Sequence, residues 1–178
     1  MRGKILSADF FNRPTLTVAK ELIGKFLVRK IGSRRIASMI TEVEAYDGFH
    51  DRASHASRGR TDRNAVMFGG AGCWYVYLIY GMYWMLNIVT GPKDYPAAIL
   101  IRGVVDASGP GRLTKFFKIN HRFNSKLASR SSDLWIEGRE MKIPQRLIKR
   151  GPRVGVAYAG QIWSRKPWRF YILHSNSK

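Results

Sequence analysis

The chain has 178 residues, of which 45% are hydrophobic, and its 31 lysines and arginines outnumber 12 acidic residues to give a net charge of +19. This length and apolar content are enough for one folded domain and exclude a disordered basic tail. No apolar run of about 18 residues is present that could span a membrane. The single cysteine, Cys73, excludes an internal disulfide, fits a reducing cytoplasm and argues against a cysteine-based zinc site.

The positive charge indicates a polyanionic partner, because the basic residues are dispersed through sequence that can fold. A nucleic acid fits best, and a ribosomal, membrane-surface or merely soluble basic protein is the alternative. The four histidines lack the spacing of metal ligands, so we expect no metal. Residues 1–10 carry no hydrophobic signal core and resemble mature sequence, so we expect a cytoplasmic protein.

The first predicted element is a helix over residues 14–23, where apolar side chains recur at helical spacing before Gly24. A β-hairpin follows, with strands over residues 26–31 and 35–46 joined at Gly32-Ser33. These elements begin a single folded unit.

Residues 47–73 are polar and lack a strong period, and a loop of this length in a compact domain is usually functional or partly disordered. A helix over residues 112–119 follows the chain break at 109–111. The remaining strands are predicted over residues 74–79, 84–89, 97–105, 134–137, 153–158 and 168–173, with a tight turn at 80–83. The pattern is mostly β with a few short helices, in one domain.

The strand over residues 35–46 carries acids where apolar groups are expected. Side chains alternate along a strand, so Ile40, Glu42, Glu44 and Tyr46 should share one face. A carboxylate there is either paired with an arginine or kept for reaction chemistry. Glu42 and Glu44 would lie about 7 Å apart, a spacing that also fits the two acids of an inverting glycosidase.

Aromatic residues dominate the strand that starts at residue 74. Trp74, Val76 and Leu78 share a face that we expect to be core. Tyr80 belongs to the same face but falls at the hairpin tip, where no core can cover it. A large ring there can wedge between stacked base pairs, as intercalating side chains do from the minor groove.

The loop before this strand is rich in basic residues. Arg58, Arg60 and Arg63 lie in a Gly-containing run that is either a solvated surface or a set of contacts to the phosphate backbone. His55 is either an ordinary surface histidine or part of a site.

Taken together, these segments resemble the alkyladenine (3-methyladenine, N-methylpurine) DNA glycosylase family over nearly the whole chain. The matching motifs, in family order, are Leu22–Val28, Glu42–Tyr46, Ser54–Ala56, Gly59–Asn64, Met67–Phe68, Tyr75–Met82, Leu86–Ile88, Leu100–Arg102, Gly109–Leu113 and Arg153–Gly160. The resemblance implies an α+β fold: a single mixed domain over residues 1–178 around a curved antiparallel β-sheet, with short helices and a protruding, DNA-inserting β-hairpin. It also implies that no cofactor is needed.

The same resemblance implies roles for individual residues. Glu44 corresponds to the general base that activates water, and Arg102 to a residue that helps to hold this water and the flipped nucleotide. Tyr80 corresponds to the residue that replaces the flipped base in the duplex. The base-binding pocket corresponds to Tyr46, His55, Tyr77 and Asn87, with Asn87 excluding the guanine amino group. Arg112 joins Arg58, Arg60 and Arg63 as an expected contact to the DNA backbone.

Elementary chemistry agrees with these roles. A base must leave the duplex before an enzyme can act on it, and alkylated purines that carry positive charge are attracted to the faces of electron-rich rings such as Tyr46 and Tyr77. Such bases are good leaving groups, so one carboxylate and one water suffice. No lysine neighbours Glu44, which favours hydrolysis without strand cleavage. We therefore expect a monomeric DNA-repair hydrolase acting on damaged purines in double-stranded DNA, with no membrane partner, in a bacterial cytoplasm at the nucleoid.

Some positions depart from the family pattern, and two other functions stay open. Cys73, Trp74 and Trp84 are bulkier than usual, and residues 116–132 follow the family loosely. A catalytically silent duplex-binding protein would share the steep salt dependence of DNA binding. A carbohydrate hydrolase would use Glu42 and Glu44 together. The preferred lesion is not set by the sequence.

Overall fold

The computed structural model describes residues 3–173, so the ends of the predicted domain, residues 1–2 and 174–178 with His174, lie outside it. The strands are β1 (Lys4–Ile5), β2 (Phe26–Ile31), β3 (Arg34–Asp47), β4 (Trp74–Ile79), β5 (Tyr83–Val89), β6 (Ala97–Val104), β7 (Ala107–Ser108), β8 (Leu134–Gly138), β9 (Lys149–Gly151) and β10 (Arg169–Tyr171). The α-helices are α1 (Ala8–Phe11), α2 (Thr15–Leu22), α3 (Pro110–Phe116) and α4 (Gly160–Ser164).

These strands form one antiparallel sheet, and the few helices are short, which confirms the predicted α+β class. The main path runs β1-β8-β2-β3-β6-β5-β4, with β10 beside β3, β9 beside β10 and β7 beside β6. Strand β3 is the longest and pairs with β2 over its first half and with β6 and β10 over its second half. The first half of β3 therefore lies beside β2, and its second half lies between β6 and β10.

A bulge in β3 decides which side chains reach the core. The register against β6 shifts between Ile40 and Val43, and an extra residue there moves the following side chains to the opposite face. Ile40 consequently packs in the main core with Val43 and Ala45. The prediction that Ile40 shares a face with Glu44 is wrong for this reason.

The main core lies between the sheet and the helices that cover it. Its largest buried side chains include Phe11, Leu22, Trp74 and Phe117, and Trp74 also donates its indole N–H to the Leu134 carbonyl oxygen at 3.1 Å. The large indole ring of Trp74 is thus part of the main core. A smaller cluster on the other face of the sheet includes Met67, Phe68 and Tyr75, and the candidate site lies beside it.

One predicted strand is wrong, and several boundaries differ. Residues 153–158 form a turn and the 3-10 helix Ala157–Ala159, because Gly155 adopts a left-handed φ of 74° that breaks an extended run. The predicted final strand is shortened to β10. Asp47 ends β3, and residues 48–73 contain no further strand but hold the 3-10 helices His55–Arg58 and Ala65–Phe68. No helix within residues 3–173 has the length and hydrophobicity to cross a bilayer.

Candidate active site

A cleft opens where β3, β4 and β5 meet the loop after β3. Its empty space, including the part open to solvent, is about 330 Å³. Its walls are formed by Tyr46, Ala53, Ser54, His55, Met67, Tyr75, Tyr77, Asn87, Ala98 and Tyr158. The four predicted pocket residues are all among them. A concave, largely aromatic site with a few polar groups is suited to a flat heterocycle.

Glu44 is fully buried and is not itself a lining residue of the cleft, but it contacts Tyr46, which is. One carboxylate oxygen, Oε1, accepts a hydrogen bond from the Val154 backbone N–H at 2.7 Å, and the other, Oε2, accepts one from the Tyr46 hydroxyl at 2.9 Å. Because Tyr46 also lines the cleft, its hydroxyl links the acid directly to the cavity wall. Glu44 is therefore a buried acid with fixed orientation beside a ligand-sized space.

Burial raises the pKa of Glu44 above the ordinary carboxyl value. The positive charge of Arg102 and the hydrogen bonds from Val154 and Tyr46 oppose this increase in pKa, and the negative charge of Glu42 adds to it. A carboxylate whose pKa is raised by burial is a stronger base when it is ionised, which suits proton abstraction.

Replacing Glu44 by Gln should stabilise the fold. Since the pKa of Glu44 is higher in the folded protein, its protonated form favours folding, and that stability is lost as the pH rises through the folded pKa. Gln keeps the shape and removes the buried charge, so we expect about 1 kcal/mol of added stability at pH 7, shrinking toward zero in acid. Thermal unfolding from pH 4 to pH 8 would measure it.

The matched control for this stability measurement is Glu21→Gln, which changes an exposed acid paired with Arg13 at 2.7 Å. A surface pair of this kind contributes little to stability, so no pH-dependent gain is expected. A Glu44→Gln protein with a lower melting temperature than the native chain at pH 7 would contradict the conclusion that the buried charge of Glu44 destabilises the fold.

Glu42 and Glu44 share a face of β3, as predicted, but their surroundings differ. The Arg102 Nε donates to Glu42 Oε1 at 3.0 Å and lies 3.5 Å from Glu44 Oε1. The Arg169 guanidinium is a second partner of Glu42 at 3.2 Å. Glu42 is thus held by two arginines, whereas Glu44 is bonded to Tyr46 of the cleft wall, which makes Glu44 the candidate acid of the site.

The aromatic walls of the cleft contact one another. The rings of His55 and Tyr77 have centroids 4.6 Å apart, those of Tyr75 and Tyr77 are 5.0 Å apart, and the His55 Nδ1 lies 3.0 Å from the Tyr75 hydroxyl. Burial raises the pKa of Tyr75 to about 12 and raises the pKa values of Tyr46 and Tyr77 as well. The phenols therefore stay protonated. Burial and the charge of Arg63 lower the pKa of His55, which favours a neutral imidazole.

Asn87 is a buried polar residue of β5 within the cleft lining. Its amide Nδ2 donates to the backbone carbonyl oxygens of Tyr75 at 3.1 Å and Met85 at 3.5 Å. Because both bonds use the NH₂ group, the amide orientation is set by β4 and β5, and its polar edge is part of the cavity wall.

Tyr80 lies in the turn between β4 and β5 and is 85% exposed. Its φ of 51° and the φ of 66° at Gly81 are both left-handed, a conformation that is unfavourable for a bulky residue. Met82 beside it is also exposed. The hairpin therefore presents a strained, solvent-exposed ring with no partner in the described fold.

The four arginines predicted to contact the DNA backbone are all exposed. Arg63 packs over the Tyr77 ring at 5.6 Å and donates to the Leu78 carbonyl oxygen, and Arg60 packs over Phe68. Arg58 borders a second cleft that shares His55 with the first. Arg112 lies at the start of α3, in a groove along the hairpin. Their guanidinium groups thus flank the hairpin and the cavity.

Two contributors to the site were missed from the sequence. The Val154 N–H binds Glu44, and the Tyr158 ring forms one wall, with its hydroxyl donating to the Ala53 carbonyl oxygen at 2.8 Å. Both belong to the Arg153–Gly160 motif. This motif is part of the family resemblance and could have indicated a site, but its alternating pattern predicts a strand. Within residues 3–173, no three His, Cys, Asp or Glu side chains are grouped so that they could hold a metal ion.

An aromatic cleft beside a buried carboxylate, on a protein of net charge +19 with an exposed tyrosine at a hairpin tip, defines an enzyme that acts on bases of nucleic acids. The sequence pattern of the family described as methylpurine-DNA glycosylase (MPG) matches residues 9–106 and 105–176. The chain belongs to this family, whose members are hydrolases that cleave N-glycosyl bonds of DNA in repair.

Curated relatives match nearly the whole chain. One from Methanocella arvoryzae is 44% identical over 192 residues, covering 96% of this chain and 94% of the relative. One from Chlorobium phaeobacteroides is 40% identical, with 96% and 94% covered. One from Legionella pneumophila strain Corby is 42% identical, with 94% and 93% covered. All three carry the provisional name 3-methyladenine DNA glycosylase.

Proposed function

We propose that this protein excises 3-methyladenine and related alkylated purines from double-stranded DNA, using a water molecule that Glu44 activates. The observation that carries the proposal is the Tyr46 hydroxyl, which binds the buried Glu44 carboxylate while its ring lines the base-sized cleft. This arrangement brings a base catalyst and a stacking surface to the same nucleotide.

The reaction needs one proton transfer and one displacement. Glu44 accepts a proton from water, the water oxygen bonds to the anomeric carbon of the sugar, and the carbon–nitrogen bond to the purine breaks. Its electron pair neutralises the positive charge that alkylation placed on the base. Arg102, 3.5 Å from Glu44, is positioned to hold the water and the flipped nucleotide.

Recognition uses the aromatic walls and the hairpin. The electron-rich rings of Tyr46 and Tyr77, with the neutral His55, stack on a cationic base, and Asn87 limits access for the guanine amino group. Tyr80 fills the gap in the duplex after the base has turned out.

The surroundings of the cleft supply affinity for DNA, and its lining supplies the chemistry. The exposed guanidinium groups that flank it bind backbone phosphates; they belong to Arg58, Arg60, Arg63 and Arg112. The enzyme works as a monomer in the cytoplasm.

Among the described residues, the cleft lining contains no lysine, which supports hydrolysis over a covalent Schiff base. A carbohydrate hydrolase is disfavoured because Glu42, its required second acid, is held by two arginines.

The test is product analysis on a methylated duplex. We expect the purified protein to release free 3-methyladenine and to leave abasic sites whose strands break only after treatment with alkali. Chromatography of the released bases and denaturing gels before and after alkali would measure both products. Strand breaks without alkali would contradict the water mechanism, and the absence of free base would contradict the proposed function as a whole.

A further inference from the structure

Arg153 forms the most completely buried ion pair among the described residues, next to the candidate site. Its side chain and that of Asp51 are both fully buried, and the two guanidinium nitrogens Nη1 and Nη2 donate to Asp51 Oδ2 and Oδ1 at 2.5 Å and 2.8 Å. Such a two-point pair fixes the plane as well as the position of the guanidinium.

This pair ties together the segments that build the site. Arg153 also donates to the carbonyl oxygen of Ala45, the residue between Glu44 and Tyr46, at 2.8 Å. Asp51 in turn accepts hydrogen bonds from the backbone N–H groups of Asp47, the last residue of β3, and Ala53 in the following loop. The strand with the acid, the loop that leads to His55 and the turn after β9 are therefore joined at one point.

The next residue makes this arrangement relevant to catalysis. Val154 follows Arg153 directly, and its N–H is the 2.7 Å donor to Glu44. Anchoring the side chain of Arg153 therefore fixes the backbone donor that orients the acid. A displacement of about 1 Å at such a donor is enough to slow an enzyme by about 10²-fold.

Arg153 also supports the aromatic wall. Its guanidinium carbon lies 4.8 Å from the centroid of the Tyr46 ring and 5.0 Å from that of Trp168. The guanidinium therefore covers one face of Tyr46. Because Asp51 neutralises the charge of Arg153, the ring can still attract a cationic base.

We propose that Arg153, held by Asp51, is a positioning residue that sets the Val154 N–H against Glu44 and holds the Tyr46 ring for the base. The inference rests on the proposed function, in which Glu44 is the general base. Stability alone is a weak reason for such a pair, because well-packed apolar residues often serve a buried site equally well.

A pH profile distinguishes positioning from simple structural support. The titratable or charged groups around Glu44 are Glu42 and Tyr46 from its own strand, Arg102 from β6, Tyr77 from β4, Arg169, which is opposite Glu44 in β10, and Tyr158. The Val154 hydrogen bond lowers the pKa of Glu44. Its loss should raise that pKa, so the acid limb of the rate profile should move to higher pH.

The experiment compares Arg153→Lys and Asp51→Asn with the native chain, using single-turnover release of 3-methyladenine from pH 5 to pH 9. We expect a rate loss of about 10²-fold and a shift of the acid limb to higher pH, with a smaller loss of affinity for the methylated duplex, because the exposed arginines proposed to bind phosphates are unchanged. The control is Glu137→Gln, which disrupts another buried acid paired with two arginines, on β8. It should keep the native rate and profile.

Each result decides the question. A folded Arg153→Lys or Asp51→Asn protein with the native rate and pH profile would overturn the proposal. If both variants fail to fold while Glu137→Gln folds, the pair is structural and the proposal is wrong. Glu44→Gln, assayed in parallel, separates failure of the proposed function from failure of this inference. Full activity of Glu44→Gln would contradict the proposed function, in which Glu44 is the general base. An inactive Glu44→Gln together with a native-like Arg153→Lys would contradict only the positioning role of Arg153.

Discussion

Glu44→Gln should reduce the release of 3-methyladenine by about 10³-fold while the protein still binds the lesion-containing duplex. The amide cannot accept the proton of the attacking water, and loss of a general base typically slows a reaction by about 10²–10⁴-fold. The Gln oxygen can accept the Val154 N–H, and its NH₂ group can donate to the Tyr46 hydroxyl oxygen in place of the bond that Glu44 accepts there, so the cleft should retain its shape. Single-turnover kinetics with saturating enzyme, and a binding titration on the same duplex, measure the two quantities.

Glu42→Gln is the matched control, because Glu42 lies on the same face of β3 and shares the Arg102 guanidinium. We expect it to retain most of the activity. Equal losses in both variants would favour a mechanism with two acids, and no base release from the native chain despite tight binding would identify a DNA-binding protein without catalysis. Full activity in Glu44→Gln would assign the base role to another group.

The predicted hairpin agrees with the structure, and Trp74 and Val76 lie in the core as predicted, because these features depend on local sequence; Leu78, which was expected beside them, is only half-buried and lies outside the core. Trp74 and Val76 alternate with residues of the opposite face, and the pairing of Ile79 with Tyr83 leaves only residues 80–82 for the turn. The fold therefore places Tyr80 at an exposed tip, as predicted from position alone. The expected pocket residues also meet in one cleft, although that grouping came from the family resemblance and not from spacing.

The errors arise where distant residues override local pattern. Val154, Val156 and Tyr158 alternate like a strand, but Arg153 is drawn inward by Asp51, 102 residues earlier in the chain, and the segment turns at Gly155. No local signal marks an arginine for burial. The bulge in β3 is a similar case, because an extra residue in a ladder depends on the partner strand β6 and not on the alternation within β3.

The site therefore combines two kinds of instability. Glu44 is a fully buried acid, and Tyr80 is a bulky residue held in a left-handed backbone conformation. Each is unfavourable for folding, and both are residues to which the proposed function gives a role. Strain concentrated in this way is expected where a site must be preorganised.

Tyr80→Gly should separate stability from function at the hairpin. Glycine adopts a φ of 51° without strain, so the melting temperature should stay the same or rise. The variant cannot refill the stack that the departing base leaves, and stacking of one ring on a base is worth about 1–3 kcal/mol. We therefore expect the affinity for a lesion-containing duplex to fall by about 10–100-fold. Fluorescence titration and thermal unfolding measure the two effects.

The ring itself is tested by Tyr80→Phe, which keeps the aromatic face and removes only the hydroxyl. If stacking is the role of Tyr80, this variant should bind and release bases like the native chain, whereas Tyr80→Gly should lose affinity for damaged DNA more than for single-stranded DNA, which has no gap to fill. Native-like affinity of Tyr80→Gly for the damaged duplex would show that the exposed ring does not enter DNA, and base flipping would then depend on the aromatic cleft and the flanking arginines alone.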